Sequence, residues 1–228
     1  MMRLFAVILT ILFLTFPALA KEPSSLHLLL DEQGELVKSS GSGTHLGNGI
    51  VLTASHVVLS SHNLGQVNNK MIEAAKEREI QWESDGAKGV GYAIWIDPKR
   101  DVALIKITDY DQIESSHLVC TDPKVGDKLS ISAFPMYFGR VLQKDLPVIA
   151  PAIKREGSPF DFKYFIVTVN TIPGMSGGGL MNDKGEVVGT LNAFPGLNQF
   201  ISFPTMGIAV PASEICNSIK IYKNKKGS

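Results

Sequence analysis

One serine, Ser176, lies among four glycines in the segment TIPGMSGGGLM, which spans residues 171–181. Glycine loses more backbone entropy on folding than any other residue, so such a cluster needs a structural or chemical reason. Two interpretations are open for the segment alone: a glycine-rich turn with an incidental serine, or a backbone that serves chemistry at the Ser176 hydroxyl. A phosphate-binding loop is poorly supported, because no Lys-Ser or Lys-Thr pair follows at the required spacing.

A serine hydroxyl becomes a useful nucleophile only when a base removes its proton and a third group orients that base. Histidine suits this role, because its pKa allows proton transfer near neutral pH. His56 lies in the segment GIVLTASHVV, at the end of a buried-looking strand, and a capping or core histidine is the alternative interpretation. All histidines precede Ser176, which excludes the α/β-hydrolase elbow, whose histidine follows its serine. The five histidines are His27, His45, His56, His62 and His117.

The candidate acid is Asp101, which stands in DPKRDVALIKI directly before a continuous apolar run. A buried aspartate can hold one histidine tautomer and stabilise the imidazolium. A turn aspartate is the alternative interpretation, and Asp97 before Pro98 is typical of such a turn. The candidates occur in the order His56, Asp101, Ser176, separated by 45 and 75 residues. That is the order of the chymotrypsin-type triad and not of the subtilisin triad.

The elements that must position these residues are mostly short runs rich in Val, Ile, Phe and Tyr, which predict strands. Two segments have helical composition: NNKMIEAAKERE, and PASEICNSIKIYK near the C-terminus, whose lysines favour a helix end. Because strands and helices do not alternate, the sequence predicts an all-β barrel or sandwich with a terminal helix. The predicted strands are Leu26–Leu30, Gly49–Thr53, Gly89–Ile96, Val102–Ile107, Lys128–Ala133, Phe165–Val169, Val187–Ala193 and Met206–Val210.

The first twenty residues consist of a basic start, an apolar run of 13 residues and an Ala-Leu-Ala triplet. This pattern predicts a secretory signal peptide over 1–20 that is cleaved after Ala20. An N-terminal membrane anchor is the alternative, although the run is short for a span of about 20 residues. We expect the remaining chain, 21–228, to be secreted or periplasmic and not membrane-bound after cleavage.

The composition narrows the partners that we expect. The 22 basic and 22 acidic residues balance, which gives no indication of a nucleic-acid partner. The sequence contains no His-Glu-x-x-His motif and no cysteine cluster, so we predict neither a metal nor another cofactor. The sequence leaves the oligomeric state open.

Three segments, LTASHVV, DVALIKI and PGMSGGGL, resemble the signature segments of trypsin-like serine proteases. The closer likeness is to bacterial Deg/HtrA-type secreted peptidases. The segments that follow the family's order are GSGTHLGNGIVLTASHVV, VGDKLSISAFP and PGMSGGGLMNDKGEVVGTLN. The resemblance spans residues 41–210. The family implies an all-β fold of two six-stranded antiparallel β-barrels with the site in the cleft between them. We expect the barrels over 26–115 and 125–212, a helix over 212–223, and no C-terminal PDZ domain.

By motif match, the resemblance implies that His56 is the general base, Asp101 its orienter and Ser176 the nucleophile of a serine endopeptidase. Its substrate would be a protein or peptide. The backbone N–H groups of Gly174 and Ser176 would form the oxyanion hole. Met175 replaces the aspartate that pairs with a freed N-terminus in digestive relatives, so we expect no such zymogen switch. A catalytically impaired member of the fold, acting as a binding or scaffold module, is the alternative function.

The resemblance also implies a specificity pocket and a disulfide. The pocket would lie beside the segment before the serine, and its residues carry no charge, so we expect an uncharged substrate side chain there. Strand 188–193 would pair with the substrate backbone. Related proteases often bridge the interbarrel connector to the terminal helix, which favours a Cys120–Cys216 disulfide over two free thiols. The expected pocket residues are Asn170, Thr190, Leu191, Asn192, Gly207 and Ala209.

Overall fold

A computed structural model describes residues 25–32, 35–60, 64–136, 139–156, 162–192 and 205–227. The proposed signal peptide and His62 lie outside these ranges. The strands are β1 Ser25–Glu32, β2 Glu35–His45, β3 Ile50–Thr53, β4 Ile80–Ser84, β5 Ala87–Asp97, β6 Val102–Ile107, β7 His117–Leu118, β8 Lys128–Ala133, β9 Val141–Ile153, β10 Tyr164–Thr168, β11 Gly179–Met181, β12 Glu186–Asn192 and β13 Met206–Pro211. The α-helices are α1 Ser55–Leu59, α2 Asn69–Glu77 and α3 Ala212–Lys226.

The first six strands close into an antiparallel barrel in the order β1-β2-β3-β6-β5-β4, with β1 paired to β4. Period-two alternation decides which side chains enter this barrel. In β4, Ile80, Trp82 and Ser84 are buried. The residues between them, Gln81 and Glu83, are exposed. The buried side chains of β1, β4 and β6 join those of α1 in one core, which gives the barrel a filled interior.

Six later strands form a second antiparallel barrel in the order β11-β8-β9-β10-β13-β12, which the β11–β12 pairing closes. The short strand β7 pairs in parallel with β12 on the outside of this ring. A separate apolar core fills the barrel, with Phe165, Met175 and Leu180 among its fully buried members. The predicted architecture of two six-stranded antiparallel barrels followed by a helix is therefore confirmed.

A third apolar cluster joins the two barrels to α3. Leu52 and Leu104 come from the first barrel, Val187 and Val210 from the second, and Ile215 from α3. Because each barrel buries side chains against the other, their relative position is fixed by packing. Among the described residues, no helix is long and apolar enough to span a membrane.

A disulfide between Cys120 and Cys216 also fastens α3, which confirms the expected pairing. Cys120 follows β7 in the connector between the barrels, and Cys216 lies in the second turn of α3. At the start of α3, the Asp122 carboxylate accepts hydrogen bonds from the Ser213 N–H and hydroxyl, both at 2.8 Å. The connector thus holds the helix through one covalent bond and one N-terminal cap.

We predict that removing the disulfide lowers stability without changing the fold. The bridge joins residues 96 positions apart, and closing a loop of that length stabilises a folded chain by up to about 4–5 kcal/mol. Urea unfolding of the Cys120→Ala/Cys216→Ala double variant should give a lower midpoint than that of the wild type. Thiol titration of the denatured, unreduced wild type should find no reactive thiol, and two reactive thiols would contradict the bridge.

Candidate active site

The sheet register of the first barrel brings His56 and Asp101 together. Strand β3 pairs with β6 so that Thr53 lies opposite Ala103. His56 follows the end of β3 by three residues, and Asp101 immediately precedes β6. Antiparallel pairing places these two ends at the same edge of the barrel.

The Asp101 carboxylate accepts four hydrogen bonds. Oδ2 lies 2.8 Å from His56 Nδ1, and Oδ1 accepts from the His56 N–H at 2.9 Å. Oδ1 also accepts from the Ser55 hydroxyl at 2.8 Å, and Oδ2 from the Asn192 amide. The carboxylate is fully buried, a state that requires this degree of hydrogen bonding. Asp101 therefore holds His56 through both its ring nitrogen and its backbone N–H, and these two contacts orient the imidazole.

The backbone at Asp101 is left-handed, with φ of 52°, a conformation that aspartate adopts more readily than most residues. The neighbouring Arg100 holds this turn against α3. Its Nε donates to Glu214 Oε2 at 2.9 Å and its Nη1 to Asp97 Oδ2 at 3.1 Å. The turn that positions the Asp101 carboxylate is therefore held by α3, the helix near the C-terminal end of the chain.

Opposing effects act on the pKa of Asp101. Burial raises this pKa, since it disfavours the charged form. The charge of His56 and the hydrogen bonds from His56 and Ser55 lower it, and together they outweigh burial, so the pKa lies below its usual value. The site therefore favours an ionised Asp101 at neutral pH.

Ser176 is 7% exposed and lies in the loop between β10 and β11 of the second barrel, where this loop contacts the first barrel. Its carbonyl accepts from the Ser42 N–H in β2 at 2.7 Å. Gly177 has φ of 88°, and a Cβ there would lie 3.1 Å from the backbone nitrogen of Ala54 and closer still to Thr53. The chain after Ser176 therefore packs against the two residues that lead into α1 and His56. This close approach brings Ser176 to the edge where His56 and Asp101 lie.

A tight turn over Ile172–Met175, the 172–175 turn, precedes the serine. The Met175 N–H donates to the Ile172 carbonyl at 3.1 Å, with Pro173 and Gly174 at the central positions. Gly174 has φ of 95°, which the third position of a type II turn requires. A Cβ at Gly174 would lie 2.6 Å from the Met136 nitrogen. Both geometry and space therefore demand glycine there.

Hydrogen bonds fix the two peptide units whose N–H groups belong to Gly174 and Ser176. The Pro173 carbonyl accepts from the Met136 N–H at 2.8 Å, and the Met175 carbonyl from the Gly178 N–H at 3.1 Å. In a trans peptide the N–H points opposite to the carbonyl. Both N–H groups therefore point away from the contacts that hold their own peptide units. Within the described ranges, the Gly174 N–H donates to no protein acceptor.

The structure gives Asn192 a contact that sequence reasoning missed. Asn192 is 3% exposed, and its amide donates to Asp101 from the second barrel. Its place at the end of β12 gave no signal, because Asp101 lies 91 residues earlier. Ser55 was missed for a different reason: it adjoins His56 in sequence, but serine is common beside strand ends.

The other expected pocket residues have varied surroundings. Asn170 is exposed, and its backbone exchanges two hydrogen bonds with the Gln143 side chain, at 2.8 and 3.0 Å. The positions Thr190, Leu191 and Ala209 are almost fully buried. A Cβ at Gly207 would contact Leu191 at 2.6 Å. Leu191 and Ala209 belong to the core of the second barrel, and the role of all these residues toward a substrate stays a prediction.

The expectation that strand 188–193 pairs with a substrate is wrong up to Leu191. On one side, Thr190 and Leu191 pair with β13. On the other side, Leu191 donates to the Gly178 carbonyl and accepts from the Gly177 N–H, both at 2.8 Å. Both backbone edges are therefore occupied. The residues after Asn192, including Ala193 and Phe194, lie outside the described ranges.

Asp101 yields a pH-dependent stability prediction. Because its folded-state pKa is lowered, its contribution is present above the unfolded-state pKa and is lost as the pH falls through the folded value. The difference in unfolding free energy between wild type and Asp101→Asn should therefore be largest near neutral pH and shrink below about pH 4. Urea unfolding across pH measures this difference.

Asp109→Asn is the matched control for this measurement. Asp109 also has a left-handed backbone, with φ of 56°, but its side chain is exposed. The control should show a small and nearly constant difference over the same pH range. An Asp101→Asn difference that grows as the pH falls would contradict the lowered pKa.

A family model described as a trypsin-like peptidase domain matches residues 41–189, which is most of the described chain. The chain is 28% identical over 180 residues to the periplasmic serine endoprotease DegP of Salmonella typhimurium, covering 75% of this chain and 34% of that protein. It is 24% identical over 220 residues to a serine protease HtrA-like protein of Staphylococcus aureus, covering 85% and 26%. The chain thus spans between about a quarter and a third of the length of these curated relatives.

Solved structures with the same fold include the active form of the Rv3671c protease from M. tuberculosis. The TM-score is 0.65 at 16% identity, over 87% of this chain and 80% of that one. The serine endoprotease from Yersinia pestis gives a TM-score of 0.64 at 18% identity, over 88% and 62%. At these identities the likeness establishes the two-barrel fold.

Proposed function

This chain belongs to the trypsin-like peptidase family, and we propose that it is an active serine endopeptidase that cleaves protein or peptide substrates. The observation that carries the proposal is the buried Asp101 carboxylate, which lies 2.8 Å from His56 Nδ1. Such a pair holds the imidazole so that Nε2, on the opposite side of the ring, is available to a nucleophile. Ser176 is the nucleophile that the motif supplies.

In the proposed reaction, His56 Nε2 takes the Ser176 hydroxyl proton as Oγ attacks the scissile carbonyl carbon. The carbonyl π electrons move to oxygen and form a tetrahedral oxyanion. Collapse of this intermediate breaks the C–N bond, and His56 gives its proton to the leaving amine. Water then attacks the acyl-enzyme by the same sequence and releases the carboxylic acid with Ser176 restored. Ionised Asp101 stabilises the imidazolium in both halves.

The N–H groups of Gly174 and Ser176 are the proposed oxyanion donors. Their peptide units are held by the contacts described above, so little reorganisation is needed when charge develops. One such donor contributes roughly 3–4 kcal/mol to the transition state. The uncharged surroundings of the expected pocket support a substrate with an uncharged side chain next to the cleaved bond.

We also propose that the chain acts after export. The signal-peptide pattern over 1–20 and the Cys120–Cys216 disulfide both favour an oxidising compartment. The DegP relative is described as periplasmic. Its location supports the same compartment for this protein.

Labelling by an activity probe tests the catalytic proposal. A fluorophosphonate reacts with an activated serine, so wild type should be labelled while Ser176→Ala and His56→Ala should not. His117→Ala is the matched control, since His117 is exposed in β7, and it should be labelled like the wild type. Equal labelling of wild type and Ser176→Ala, or none of either, would favour the binding-module alternative.

The two roles available to Asn192 make opposite predictions. If its amide holds Asp101, Asn192→Ala should lower kcat for every substrate and leave the cleavage preference unchanged. A peptide-library digest measures both quantities. If Asn192 instead shapes the specificity pocket, the preference should change more than the overall rate, and this result would contradict the positioning role.

A further inference from the structure

We propose that the Ser42 hydroxyl is a positioning residue that fixes the 172–175 turn in the shape needed for oxyanion binding. This inference rests on the proposed peptidase function and identifies a residue that affects the rate of the reaction at Ser176. Ser42 stands in the GSG of the segment GSGTHLGNGIVLT. That motif is part of the family resemblance, but the resemblance assigns no role to its serine.

Ser42 contacts the chain on both sides of Met175. Its hydroxyl donates to the Gly174 carbonyl at 2.8 Å, and its backbone N–H donates to the Ser176 carbonyl at 2.7 Å. The residue is fully buried, so water does not replace these bonds. One residue of the first barrel therefore holds the second-barrel segment that contains both proposed oxyanion donors.

The direction of the Ser42 hydroxyl proton follows from its partners. Oγ lies 2.8 Å from the Phe134 N–H, and a backbone N–H can only donate. The Gly174 carbonyl can only accept, so it receives the single hydroxyl proton. The hydroxyl is thus a bridge that accepts from the Phe134 N–H after β8 and donates to the Gly174 carbonyl in the turn.

This bridge compensates for the freedom of Gly174. Glycine is required by the turn, yet it has no side chain that limits rotation of the peptide unit between Gly174 and Met175. That unit lies between the two units that carry the proposed donors. Rotation about it would tilt the Gly174 N–H relative to the Ser176 N–H. Ser42 holds its carbonyl, while the Met175 N–H bond to Ile172 holds the opposite side.

The test measures fluorophosphonate labelling over a range of probe concentrations, which separates the probe affinity KI from the maximal rate kinact. We expect Ser42→Ala to lower kinact by about 10–100-fold and to change KI by less than about twofold. Ser42→Cys keeps the shape of the side chain, with a sulfur slightly larger than the oxygen, but donates weakly. It should also lower kinact, and it serves where the alanine variant is too unstable to assay.

Ser84→Ala and Ser84→Cys are the matched controls. Ser84 is also a buried serine, and its hydroxyl donates to the Ser25 carbonyl at 2.7 Å in the first barrel. These variants lose the same type of bond, so they should keep kinact within about twofold of wild type. A purely structural role for Ser42 predicts equal kinact in the two variant pairs.

The outcomes separate this inference from the proposed function. Wild-type labelling that requires Ser176, combined with unchanged kinact in both Ser42 variants, overturns the inference alone. A change confined to KI also overturns it, because it assigns Ser42 to probe binding. Failure of the wild type to be labelled at Ser176 overturns both the inference and the peptidase function.

Discussion

A buried carboxylate is the constraint on which the rest of the site depends. Asp101 is fully buried, and its lowered pKa favours the ionised form. Removing such a charge from water is costly unless hydrogen bonds replace the lost hydration. The donors come from both barrels: Ser55 and His56 from the first, and Asn192 from the second. The carboxylate is therefore satisfied only when the barrels are correctly packed against each other.

This dependence couples the chemistry to the assembly of the fold. The apolar cluster between the barrels sets their distance. The disulfide connects α3 to the interbarrel connector, and the Arg100–Glu214 ion pair connects α3 to the first barrel. The same interface carries Ser42, a first-barrel residue that hydrogen-bonds to Gly174 and Ser176. Each barrel therefore completes a part of the site that the other presents.

The backbone does much of the positioning. Gly174 and Gly177 have positive φ angles, and the space around both excludes a side chain. The carbonyls of Pro173 and Gly174 accept from the Met136 N–H and the Ser42 hydroxyl, and the Gly177 N–H donates to the Leu191 carbonyl. A glycine-rich segment is flexible in isolation, but these contacts leave it a single shape, so its N–H groups can be preorganised.

Local patterns predicted the barrels only in part. Strands such as β6 and β8 are continuous apolar or alternating runs, and the sequence predicted them closely. Strand β9 was missed because Pro147 and Pro151 interrupt it, and prolines are unusual within strands. Register shifts against both of its neighbours accompany this strand. Strand β2 was missed because its GSG segment has the composition of a turn.

The sequence by itself determined the residue types and their chain order: a histidine after one strand, an aspartate before another, and a glycine-flanked serine later in the chain. These are local features, readable from composition and spacing. Only the tertiary structure decided that Asn192 donates to Asp101 and that Ser42 donates to Gly174. The physical reason is that these contacts join residues 91 and 132 positions apart. Their meeting depends on barrel closure and interbarrel packing, which no local pattern encodes.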